Sequence, residues 1–269
     1  MWKYVIGSVC FVLGVYLYLI FPGMKRKKEI WKYRGVQWAH RGLHENQAGI
    51  PENSMAAFRQ AIRAKMGIEL DVHLTRDKKL VVFHDDTLGR MCGISGTVEE
   101  KTWEELKMLH LLDTAEKIPL LEDVLHLVSG KVPILIEVKA LTENMEICSL
   151  LADELKQYEG AFLVQSFNSL VLRWFRKYET QILRGQLSSN LVKSEETPHY
   201  MFRFCVKYLL SNCICRPDFI SYKMEDSQNI SLWMQKHLFR VPVAVWTLHG
   251  EAMLQRAKSQ FDMYIYEKI

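Results

Sequence analysis

A chain of 269 residues, 49% hydrophobic and 25% charged, has the length and apolar content of one large globular domain, or of one domain with an anchor. Its formal charge of +4 is modest and lies largely in the run Lys25-Arg26-Lys27-Lys28, which argues against a nucleic-acid binder with a basic face. The six cysteines, Cys10, Cys92, Cys148, Cys205, Cys213 and Cys215, show no Cys-x-x-Cys pair or metal-ligand spacing, so they read as reduced, structurally passive thiols.

Residues 4–24 contain no charge and are rich in Val, Leu, Ile, Phe and Tyr, long enough for a helix to cross a hydrocarbon core of ~30 Å. A single membrane-spanning helix is the reading, rather than a cleaved signal peptide. Only Lys3 precedes the apolar stretch, no small-x-small site follows it, and the basic cluster lies on its far side. By the positive-inside rule that cluster predicts a cytoplasmic carboxyl side. The expected organisation is an anchor with its basic flank over 1–28, a linker over 29–34, and one domain over 35–269.

Beyond the linker, β-branched and aromatic runs alternate with helical patterns, as in β/α units around a parallel sheet. Predicted strands are 36–40, 68–75, 80–84, 133–138, 162–167, 182–187, 219–222 and 241–248, and eight strands suggest a closed barrel. Predicted helices are 54–65, 103–109, 121–128, 145–158, 169–178 and 248–260, with apolar residues at three- and four-residue intervals. Residues 85–117 exceed a simple strand-to-helix loop and predict a small inserted subdomain. The segment 200–215, apolar with Arg203 and Lys207 interspersed, reads either as a buried barrel helix or as an amphipathic lid on a bilayer.

Four polar clusters lie at or just past the ends of apolar runs: His40-Arg41-Gly42, Glu69-Leu70-Asp71, His84-Asp85 and Glu137-Val138-Lys139. In a barrel these strand ends form the active face. Glu69 and Asp71 are two apart, so the pleat aims both to one side, where they repel unless a cation binds them. Glu137 adds a third hard oxygen, a set that suits Mg²⁺ or Ca²⁺. Lys139 is again two along and is placed to meet phosphate oxygens; the competing reading is an ordinary ion pair of Glu137 with Lys139. Imidazoles, carboxylates and cations together are the groups needed to cleave a phosphate ester beside a metal.

The run His40-Arg41-Gly42, then Pro51-Glu52-Asn53-Ser54 with Ala57-Phe58, then Glu69-Leu70-Asp71-Val72-His73-Leu74-Thr75 and His84-Asp85-Asp86-Thr87-Leu88-x-Arg90 resembles the glycerophosphodiester phosphodiesterase family. The likeness continues through Ile118-Pro119-x-Leu121-Glu122-x-Val124-Leu125, Glu137-x-Lys139, Gln165-Ser166-Phe167 and Trp246-Thr247, covering residues 36–267 in order. It implies a TIM-type (β/α)8 barrel with an insertion, and metal-dependent hydrolysis of glycerophosphodiesters to glycerol 3-phosphate and an alcohol. Carried over, it makes His40 and His84 the acid–base pair, and Glu69, Asp71 and Glu137 the ligands of Mg²⁺ or Ca²⁺. Arg41 and Lys139 become phosphate contacts, Glu52, Asn53 and Gln165 supporting residues, and Trp246 a pocket-lining residue. His44 lies near the same motifs, and His73 reads as a packed polar residue. Lys78 stands where glycine is common, His249 where asparagine is frequent, and Tyr266-Glu267 where Thr-Asp is usual, departures that touch the pocket rim and a turn.

A small glycerophosphodiester, or a lysophospholipid from a nearby bilayer, is the expected substrate. The same-class alternative is a phospholipase D-like enzyme cleaving lysophospholipid or sphingolipid head groups. A different-class alternative is a catalytically silent barrel used as a membrane scaffold or sensor.

Overall fold

The computed structural model describes residues 2–140, 145–193 and 200–268. Its strands are β1 (Gln37–Ala39), β2 (Gly67–Leu74), β3 (Leu80–Val82), β4 (Ile134–Val138), β5 (Phe162–Ser166), β6 (Arg184–Ser188), β7 (Phe219–Lys223), β8 (Val243–His249) and β9 (Met263–Glu267). All but β3 are parallel and close a ring in the order β1, β2, β4, β5, β6, β7, β8, β9, with β1 hydrogen-bonded to both β2 and β9. Helices flank the outside, giving a TIM-type barrel.

One strand predicted for the ring lies outside it, and one ring strand was not predicted. The run 80–84 forms β3, which returns antiparallel on the end of β2. A tight turn makes that return possible: Thr75 Oγ1 donates to Asp77 (2.7 Å) and accepts from the Lys79 amide (2.8 Å). Lys78 there has φ 64°, a left-handed conformation that glycine adopts more easily. The eighth ring strand is β9, whose Tyr264 and Tyr266 face outward while Met263 and Ile265 face the barrel interior.

Helices Met55–Arg63, Leu121–Val128, Glu146–Leu155, Ser169–Tyr178 and Gly250–Lys258 fall where the periodicity puts them, and Ser54 and Asn168 cap two of them through side-chain acceptors. Helix Ile230–His237 was not predicted, and 200–215 divides into helices Tyr200–Lys207 and Asn212–Cys215. The insertion has its own small core of Leu88, Met91, Val98, Leu106, Leu111 and Ile118, packed on Val81 and Phe83.

Inside the ring, alternation sorts side chains into layers. Trp38, Leu135, Leu163, Phe219, Ala244 and Ile265 fill the amino-terminal end, which Ile30 closes from below. Gly67 and Gly185 make that layer possible, because a Cβ at either would stand 2.7 Å from the Trp38 ring or 2.2 Å from the Phe219 ring. Most of the next inward positions up are polar: His40, Glu69, Glu137, Gln165, Ser221 and Glu267.

Outside the ring, Glu154 on helix Glu146–Leu155 holds a buried Oε1 without a partner among the described residues. Burial and the neighbouring Glu122 push its carboxyl up to about 7. Because the folded value lies above the unfolded one, stability falls as pH rises from the ordinary carboxylate range to about 7, and the loss is complete above that. Glu154→Gln is therefore expected to raise stability by about 1 kcal/mol at pH 8, after allowance for solvent screening, and by little at pH 5. Urea unfolding at the two pH values measures this; equal effects at both would refute it.

Candidate active site

Along β2 the inward positions are Glu69, Asp71 and His73, while Ile68, Leu70 and Val72 pack outward against helices. Parallel register sets Asp71 beside Glu137 on β4, and Glu137 beside Gln165 on β5. Glu69, Asp71 and Glu137, all buried, each offer an oxygen within 4.8 Å of the others. Lys139 stands between Glu137 (2.6 Å) and Asp71 (3.1 Å). The ion-pair reading of Lys139 is thus realised, and it extends to a second carboxylate.

Glu69 is left differently. Among the described residues it receives the Arg41 amide (3.0 Å) and Gln165 Nε2 (3.4 Å), and no side-chain ion pair. Burial, then the charges of Asp71 and Glu137, raise its carboxyl well above the ordinary range. Burial acts the same way on Asp71, but Lys139, His84 and Arg41 outweigh it and hold Asp71 far below that range. Three hard oxygens with one carboxyl so destabilised fit a divalent cation of the Mg²⁺ or Ca²⁺ kind, and no thiol lies among them.

Arg41 follows β1 in a left-handed conformation (φ 52°), which aims its amide at Glu69. Its guanidinium donates to Glu52 (2.6 Å) and lies 3.7 Å from Asp71. Glu52 also accepts two hydrogen bonds from Arg90 (2.9 and 2.7 Å). Burial opposes ionisation of Glu52, yet Arg90 and Arg41 hold it down to about 2. Asn53, also left-handed (φ 53°), donates from Nδ2 to Asp71 at 2.9 Å. The supporting residues Glu52 and Asn53 therefore fix Arg41 and Asp71 in place.

Each candidate acid–base histidine has a carboxylate at Nδ1. His40 lies 3.0 Å from Glu267, and His84 lies 2.7 Å from Asp85, which Arg90 holds at 2.6 Å. An ionised carboxylate only accepts, so Nδ1 carries the proton and Nε2 of each ring is left for chemistry. Burial pushes His40 down to about 4 despite the Glu267 bond. Burial likewise takes His73 to about 4; its neutral Nε2–H donates to the His84 carbonyl (3.3 Å), so the packed polar residue holds the turn carrying His84. Trp246 points inward, edge-on to Phe167 at 5.8 Å, with its indole N–H buried and unpartnered among the described residues.

The structure thus brings the residues singled out in the sequence to one end of the barrel. Glu267 is the addition: it faces His40, with His44 at 3.6 Å and His249 at 3.9 Å. The exchange of Thr-Asp for Tyr-Glu at 266–267 was the only signal for it.

The model of the glycerophosphoryl diester phosphodiesterase family matches residues 40–266. A glycerophosphodiester phosphodiesterase of Bacillus altitudinis is 34% identical over 168 residues, 58% of this chain and 67% of that protein. One from Caldanaerobacter subterraneus is 36% identical over 55% of this chain and 65% of its own length. A human lysophospholipase D is 28% identical over 57% of this chain and 51% of its own length. The match thus spans about two thirds of these bacterial relatives and about half of the human one. Among solved structures, an Oleispira antarctica phosphodiesterase in complex with its product sn-glycerol-3-phosphate shares the fold at a TM-score of 0.71, with 21% identity over 88% of this chain and 94% of that one. A Thermotoga maritima glycerophosphodiester phosphodiesterase gives a TM-score of 0.63 at 25% identity, covering 86% and 93%. The chain belongs to the glycerophosphoryl diester phosphodiesterase family, and it is an enzyme, a phosphoric diester hydrolase.

Proposed function

We propose that the chain hydrolyses glycerophosphodiesters to sn-glycerol 3-phosphate and an alcohol, with His40 and His84 as the acid–base pair. The observation that carries this reading is the pair of carboxylate-anchored histidines at the same barrel mouth as the Glu69, Asp71 and Glu137 cluster. Glu69, Asp71 and Glu137 would hold Mg²⁺ or Ca²⁺. A divalent cation bound there supplies Lewis-acid polarisation of a phosphoryl oxygen.

Neutral His40 takes a proton at Nε2 from the attacking oxygen, and His84 gives one to the leaving alkoxide. Arg41 and Lys139 neutralise charge on the phosphoryl oxygens as it redistributes. Trp246 lines the glycerol side. The attacking oxygen is the substrate's own 2-hydroxyl, one carbon from the esterified position, which closes a five-membered cyclic phosphate that water then opens. An analogue lacking that hydroxyl is therefore not turned over by this route.

We also infer single-pass attachment through Trp2–Ile20, the one described helix long and apolar enough to cross a membrane, with the barrel on the cytoplasmic side. That attachment, with the likeness to a lysophospholipase D, makes lysophospholipids a second substrate class.

The test is release of glycerol 3-phosphate from glycerophosphocholine by the full chain, with Mg²⁺, Ca²⁺ or EDTA. Release that needs the metal supports the reading. Failure with glycerophosphocholine but turnover of lysophosphatidylcholine selects the second substrate class, and silence with both rejects the reaction.

A further inference from the structure

The apolar N-terminal helix is locked to the barrel in a direction that says where a membrane would lie. Tyr16 Oη is 2.7 Å from Ser231 Oγ, and the Ile20 carbonyl accepts from Gln235 Nε2 (2.6 Å) and Asn212 Nδ2 (3.1 Å). Four residues on along Trp2–Ile20 thus match four residues on along Ile230–His237, so the two helices run the same way. Helix Ile230–His237 connects the top of β7 to the bottom of β8, with "top" meaning the carboxyl ends of the strands. Its capping residue Asn229 donates to the Lys207 carbonyl (3.1 Å), which also accepts from Tyr222 near the end of β7 (2.8 Å). Trp2–Ile20 therefore descends alongside the barrel, and its exposed part, residues 2–15, projects beyond the catalytic end.

The chain after the helix passes to the opposite end. Gly23 donates to the Pro217 carbonyl (2.7 Å), Arg26 pairs with Asp218 just before β7, and Lys27 donates to the Phe239 carbonyl (3.0 Å). Two of the four clustered basic residues are thus clamps beneath the barrel.

We infer that the open, catalytic end of the barrel faces the bilayer and that its rim is immersed in the lipid interface. The inference rests on the membrane reading of Trp2–Ile20 and extends the proposed function toward single-chain phosphodiester lipids. Length argues for immersion. The fourteen exposed residues 2–15 rise about 21 Å, about 9 Å short of a ~30 Å hydrocarbon core. Interfacial amphipathic helices sit about 5–10 Å deep, so drawing the barrel rim down by that much closes the gap.

The rim has the composition this requires. Ser188, the last residue of β6, donates to the Val206 carbonyl (2.7 Å), which pins helix Tyr200–Lys207 at the top. Its first turn exposes Tyr200, Met201 and Phe202, by 61%, 67% and 39%. Ile230 and Trp233, beside the docked helix, are more than half exposed. Aromatic residues of this kind are those that settle at headgroup level. A phosphodiester carried on a lipid would then meet His40, His84 and the carboxylate cluster from the membrane side.

The test uses the full chain in phosphatidylcholine nanodiscs doped with a diazirine-bearing phosphatidylcholine, with irradiation and mapping of adducts by peptide mass spectrometry. It needs no turnover. Adducts are expected on 2–15 and also on 200–202 and 230–233, at about tenfold the level on the bottom loops around Gly130 and Glu159. Adducts on 2–15 alone, or on the bottom loops, overturn the orientation while leaving the membrane reading intact. Absence of adducts on 2–15 overturns the membrane reading and this inference with it.

Discussion

Replacing Glu69 by glutamine is expected to lower metal-dependent turnover by about 10³-fold or more while making the metal-free protein more stable. Both effects come from one position. Glu69 is buried beside Asp71 and Glu137, and Lys139 is shared between those two rather than with Glu69. With its folded-state value raised, this carboxyl costs stability as pH climbs above the ordinary carboxylate range. A neutral amide of the same shape still accepts the Arg41 amide hydrogen bond and removes that cost, about 1–3 kcal/mol at neutral pH. Thermal unfolding in EDTA at pH 5 and pH 8 should show the variant's advantage growing with pH. Excess Mg²⁺ or Ca²⁺ should then stabilise the natural chain, by about 2.7 kcal/mol at a hundred times Kd, and leave the variant nearly unmoved. A variant that is less stable in EDTA and equally responsive to the ion would remove Glu69 from the metal site.

Alanine at His40 or at His84 should each reduce kcat/KM by about 10²- to 10⁴-fold, the usual weight of a positioned acid or base. The two are distinguishable by leaving group. His40, pushed down to about 4 by burial, is neutral at pH 7 and suited to take a proton. An ester with a p-nitrophenol leaving group needs no acid, so it should rescue His84→Ala and leave His40→Ala slow. The sign of the pH dependence follows: kcat/KM of the natural chain rises with pH through about 4 as His40 loses its proton. Glu267 favours the protonated ring, so Glu267→Gln moves that limb to lower pH, with a loss of about tenfold from poorer orientation of the ring. A limb that moved upward in the variant would contradict the His40–Glu267 pairing.

The barrel was legible because strands buried on both faces are nearly continuous apolar runs, interrupted only where polar side chains enter the mouth. Run 80–84 looks like such a strand, and only the left-handed turn at Lys78 shows that it doubles back. β9 was missed because Tyr264 and Tyr266 alternate with inward residues over five positions, and the strand is recognised only from its place between β8 and β1. Glu267 went unrecognised as a partner for the same reason. Helix Ile230–His237 buries only Ser231, Leu232 and Gln235, with Ile230 and Trp233 left exposed, so its pattern is not that of a core helix. The carboxylates and histidines were readable because a charged or polar side chain at the end of an apolar strand is costly to bury unless a ligand or partner meets it. Which cation pairs with which anion was not, since Arg90 reaches Glu52 across 38 positions and only folding brings them together.

The pairing of His40 with Glu267 spans 227 positions, and the strand that carries Glu267 is also the one that closes the ring against β1. At ~5–20 residues per second, ribosomal synthesis of that interval takes on the order of 10–45 s. Throughout it the imidazole lacks its carboxylate partner and β1 has an open edge, joined by the edge of β8 once that strand is made. A nascent chain stalled before β9 would carry Glu69, Asp71 and Glu137 but neither the carboxylate beside His40 nor a closed ring. Closure of the ring and pairing of His40 are therefore one event, both waiting on the strand that carries Glu267.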